Sequence, residues 1–113
     1  MDHGMRILVA NEPRAYREAL AAVVQALRPQ AEVVTAEPAA LDGAVAHVAP
    51  DLVVCSRLTP NVRALAPAWV LLYPDGQSGA VVSVSRQETA VAGIDLDRIL
   101  AAVDQAARLA RSR

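Results

Sequence analysis

The chain contains no lysine. All 11 of its basic residues are arginine, so any mechanism that needs a lysine amine is excluded. It has one cysteine, Cys55, which cannot form an internal disulfide. No charged-then-apolar leader and no long apolar span occurs, so neither export nor membrane insertion is expected, and the expected compartment is the cytoplasm. Charge of one sign is also scarce in any one place. With a formal net charge of −1 and no block of either sign, the sequence carries no electrostatic footprint for nucleic acid. Arg108, Arg111 and Arg113 gather at a helix end, where cations favour the macrodipole. His47 has no Cys, Asp or Glu at ligand spacing, so no metal site and no cofactor are expected.

What is present is apolar residue: 54% of 113 residues, enough for one self-supporting domain over residues 1–113. Its organising stretch is Asp51–Pro60, DLVVCSRLTP. Pro50 and Asp51 stop a helix, Leu52–Cys55 are apolar without alternation, and Ser56–Arg57 open a loop, which predicts a parallel strand buried on both faces. Ligands and catalytic groups gather where such strands end, and the residue standing there is Ser56. Arg6–Ala10 reads as a first buried strand, followed by a helix that Asn11 or Glu12 can cap and Pro29 ends. Its expected inward stripe is Tyr16, Leu20, Val23 and Leu27. Glu32–Ala36 predicts a second strand, and Pro38–Val48 a second helix with Leu41, Ala44, Val45 and Val48 inward.

The later chain is built differently. Asn61–Ala66 allow little more than one helical turn. Ala68–Tyr73 and Ala80–Ser85 read as strands joined by Pro74–Gly79, too short for the crossover helix that a parallel return needs, so an antiparallel hairpin is expected. Arg86–Glu88 suggest a turn and Thr89–Ala92 a short edge strand. Asp95 then caps a last helix with Leu96, Ile99, Leu100, Val103, Ala107 and Leu109 or Ala110 as its apolar stripe.

RILVANEPRAYREAL, the helix ending at Val48, and APDLVVCSRLTP together resemble the first half of a bacterial response-regulator receiver domain. The likeness covers about residues 5–60, is weak over 61–93, and returns in Asp95–Leu109. It implies an α/β, receiver-like (flavodoxin-like) doubly wound sheet. The first half is expected to be parallel, and the second half carries a β-hairpin in place of the fourth helix and a shortened third helix. Carried over residue by residue, the family's magnesium-binding acidic pair falls on Ala10 and Asn11, its phosphoacceptor aspartate on Ser56, and its switch hydroxyl on or near Tyr73. The family's clamping lysine has no counterpart. Glu12 alone leaves a carboxylate at the edge of this vestigial pocket.

Magnesium needs carboxylate oxygens, and one glutamate supplies too few. A serine hydroxyl without a base is a poor nucleophile. Asp51 cannot substitute, because it begins its strand, roughly 15 Å from the Ser56 end at about 3.3 Å per residue. Asp75 belongs to the Pro74-Asp75-Gly76 turn signature. Cys55, in a buried strand, reads as an apolar filler. The expected function is therefore a non-enzymatic, phosphorylation-independent signalling module of the pseudo-receiver kind, acting by protein contact. The alternatives are a small-molecule or anion-binding module using Ala10, Asn11, Glu12, Ser56 and Tyr73, and a small thiol or serine enzyme.

Deleting a cover helix leaves a two-faced apolar strand in need of another cover. The candidate interface is Trp69, Leu71, Tyr73, Val82 and Val84, with a second copy of the chain as the expected partner, since a twofold interface needs only one complementary surface.

Overall fold

The computed structural model describes residues 5–73 and 79–112. Over these residues the chain is an α/β protein: a six-stranded mixed sheet, order β2-β1-β3-β4-β5-β6, with four α-helices, compatible with a flavodoxin-like fold. The strands are β1 (Arg6–Ala10), β2 (Glu32–Thr35), β3 (Leu52–Cys55), β4 (Ala68–Leu72), β5 (Ala80–Val84) and β6 (Gln87–Val91). The helices are α1 (Arg14–Leu27), α2 (Leu41–Val48), α3 (Pro60–Leu65) and α4 (Leu96–Ser112). A 3-10 turn over Pro38–Ala40 replaces the start of the expected second helix.

β2, β1, β3 and β4 run parallel, and β4-β5-β6 form an antiparallel meander. The hairpin inferred from loop length is thus present, and α3 is six residues long. The Pro74-Asp75-Gly76 turn lies outside the described residues. At its far end Gly79 is required by space, because a Cβ there would sit 2.9 Å from the Val91 carbonyl oxygen. The β5–β6 turn falls at Ser85–Arg86, one residue earlier than expected, with positive φ of 53° and 69°. Two left-handed residues suit a tight hairpin turn, but it usually carries Asn and Gly, so the sequence hid it.

Two apolar layers sandwich the sheet. Ile7, Val9, Leu52, Val54, Val70 and Leu72 face α1 and α4, while Leu8, Ala10, Val53, Cys55 and Trp69 face α2 and α3. The alternation is that of strands buried on both sides. α1 turns a different stripe inward from the one expected: Arg17, Leu20, Ala21 and Val24 are buried, whereas Val23 and Leu27 are exposed. Alanines let the helix approach along that line, and the longer side chains lie at its flank. α4 likewise buries Ala102 and Ala106 beside Ile99, Leu100 and Val103, and leaves Leu96 exposed. Asp95 caps it as expected, its carboxylate accepting from Arg98 N at 2.9 Å.

Candidate binding site

At the carboxyl edge of the parallel strands three loops converge. Thr59 caps α3 by accepting from Val62 N at 3.2 Å, which fixes the loop that carries Ser56 and Arg57. Ser56 is committed to structure: its Oγ accepts from Glu12 N at 2.8 Å, joining the β1 and β3 loops. Glu12 and Ser56 therefore meet, as the vestigial pocket requires. The rest of that pocket does not assemble. Ala10 is buried in the α2 and α3 layer, and Asn11 is fully buried, so neither carboxylate position of the resemblance reaches the rim.

Tyr73 departs further. β4 ends at Leu72, and Tyr73 takes a positive φ of 50°, which breaks the pleat and removes it from the face of Trp69 and Leu71. Its phenol lies near Tyr16 of α1 instead. Burial first, then the neighbouring Tyr73, pushes the Tyr16 hydroxyl pKa above its ordinary value. Asp51 lies at the opposite edge, accepting from Arg6 N at 2.9 Å. Burial pushes the Cys55 thiol up to about 12, against a smaller opposing hydrogen bond with the Arg57 backbone. At neutral pH that sulfur carries no thiolate.

What the edge does hold is a depression of about 450 Å³ lined by Glu12, Arg14, Arg17, Glu37, Pro38, Ala39 and Arg57. Arg17 was missed in the sequence as one more charge on a charged helix. Its spacing was the signal, because it continues the Leu20, Ala21 and Val24 stripe at i+3, i+4 and i+7. Among the described residues no group of three His, Cys, Asp or Glu could hold a metal ion.

The expected interface is divided by register. Trp69 pairs with Ser83 and Leu71 with Val81, whereas Val82 and Val84 pair with Val70 and Ala68 and pack toward α4. Trp69, Leu71, Tyr73, Val82 and Val84 therefore form no single patch. In an antiparallel pair, opposed residues share a face, and the register puts Val81 rather than Val82 beside Leu71. Trp69 itself is 4% exposed.

The α3-side face beyond Trp69 is open. Here a second depression, about 580 Å³, lies among Arg63, Leu65, Pro67, Trp69, Ser83 and Glu88. Arg63 crosses it, its guanidinium 5.5 Å from the Trp69 ring centroid and its Nη1 3.1 Å from Glu88 of β6. One arginine thus spans the place where a helix would pack. Among the described residues no helix is long and apolar enough to cross a membrane. The chemistry on offer is protein contact at the open face and charge recognition at the strand ends. Comparison with protein-family models and with curated proteins gave no match that would assign either.

Proposed function

We propose that the chain is a receiver-like regulatory module that acts by protein contact, self-associates, and works without phosphoryl transfer in the cytoplasm. One observation carries this reading. The α3-side face of β4-β5-β6 has Leu71, Val81 and Ala90 in a row across three strands, and among the described residues this row is only half covered at Leu71 and Val81 and exposed at Ala90. Leu65, 54% exposed on α3, adds an apolar side chain at the depression around Trp69 on the same side of the sheet. A twofold partner would bury both with the edge strand β6, whose unpaired backbone groups favour strand addition. The absence of a phosphoryl-transfer role is supported by Ala10 and Asn11 at the magnesium positions and by Ser56 Oγ already accepting from Glu12.

Light scattering across a wide concentration range tests the association. A dimer is expected, and Leu65→Asp and Val81→Glu should each yield a folded monomer by circular dichroism. A wild-type chain that stays monomeric throughout would overturn self-association. Beryllium fluoride with magnesium should leave the spectrum unchanged, and saturable binding at Ser56 would overturn phosphate independence.

A further inference from the structure

The first turn of α1 is charged against its own dipole. It has no acidic residue and no capping side chain, and it carries Arg14 and Arg17 where the helix already presents partial positive charge. Glu18 relieves Arg14 through a 2.8 Å ion pair. Arg17 makes no such ion pair, and Glu18 acts on it only as a through-space charge. Arg17 is 6% exposed, its Nη1 makes one long 3.4 Å bond to the Asn11 carbonyl, and no carboxylate pairs with it among the described residues. A guanidinium has five N–H donors, and burying one without a counter-charge is costly. Asn11 beside it is fully buried, and neither its Oδ1 nor its Nδ2 has a hydrogen-bond partner among the described residues.

Packing does not account for Arg17, since the stripe it continues is otherwise Leu20, Ala21 and Val24. Arg17 lines the 450 Å³ depression with Arg14, from the same first turn of α1, and with Arg57, from the loop after β3. We propose that this depression binds a small oxyanion, a phosphate monoester or a carboxylate, with Arg17 as the buried anchor and Arg57 and Arg14 at its mouth. The oxyanion supplies the direct ion pair that Arg17 lacks among the described residues. A planar guanidinium matches either group with two parallel bonds, and the unpaired N–H groups of the α1 first turn add to the field. Glu12 and Glu37 share the rim and repel a bare anion, so they select ligands that also offer a hydroxyl or ammonium donor.

This site is independent of the open face used for protein contact, and the two readings fail separately. The test is titration of the full chain with inorganic phosphate and, in parallel, acetate at low ionic strength. The readout is the arginine Nε–H resonances together with the molecular mass of the same samples. Saturable shifts at Arg17 and Arg57 are expected, and the tighter of the two anions identifies the natural oxyanion as phosphate or carboxylate. Arg17→Gln should weaken binding by about tenfold or more. Because that substitution lies in the core, Arg57→Ala and Glu37→Gln complete the test on exposed positions: the first should weaken binding and the second should tighten it. No saturable shift with either anion, or binding indifferent to all three substitutions, would overturn the site. A change in mass alone would not bear on it.

Discussion

Strands β1 and β3 are buried at nearly every position, whereas β6 is exposed at four of its five. The same sheet is covered by helices on both faces at one end and on one face at the other. In the parallel half each crossover must itself be a helix, so connection and cover are one segment. The antiparallel half closes with a loop and a two-residue turn, which save chain but bring no cover. α4 returns to protect one face, and the other is left to Arg63, Trp69 and Glu88. Joining two strands of an α/β sheet by a short connection instead of a helix therefore changes strand direction and surface together.

The contrast predicts unequal sensitivity to truncation. Leu8→Ala, at a fully buried position of β1, should cost about 2–5 kcal/mol by chemical denaturation. Val81→Ala, half-buried on the open face, should cost about 1 kcal/mol. A Val81→Ala loss that grows toward the Leu8→Ala loss as protein concentration rises would show that a second copy covers Val81 in solution.

A smaller effect sharpens the picture of the closed half. The Cys55 thiol, with an ordinary value of 9.0, is held up to about 12 by burial. Unfolded chain loses that proton near 9.0 and folded chain does not. Stability from this group is whole below that pH and falls by about 1.4 kcal/mol per pH unit up to the folded value. Denaturation series at increasing alkaline pH should show a steeper loss for the wild type than for Cys55→Ala. Parallel slopes would mean the thiol is not sealed.

The smallest effect concerns the strap over the open face. Arg63→Ala removes a cation from the Trp69 ring and an ion pair to Glu88, both partly exposed. A loss of about 0.5–1 kcal/mol is expected, with a rise in tryptophan quenching by acrylamide. Unchanged quenching would indicate that the ring is covered by something other than Arg63.

The parallel half was legible because its strands are uninterrupted apolar runs and its helices are bounded by Pro13, Pro29 and Pro50, signals that depend only on neighbours in sequence. The hairpin was legible for a related reason: a loop as short as Pro74–Gly79 cannot return a parallel strand. The site was read less well. The resemblance named Ala10, Asn11 and Tyr73 by position. Full burial of the first two and the positive φ of Tyr73 then took all three out of the depression.

The sequence by itself determined the first four strands and the hairpin, because residue type, run length and loop length are local quantities. Only the tertiary structure decided that Val82 and Val84 face away from Trp69, since register is set by pairing across strands. It alone decided which way α1 turns. That rotation exposes Val23 and Leu27, buries Arg17, and leaves a cation with no direct ion pair among the described residues at the ends of the strands.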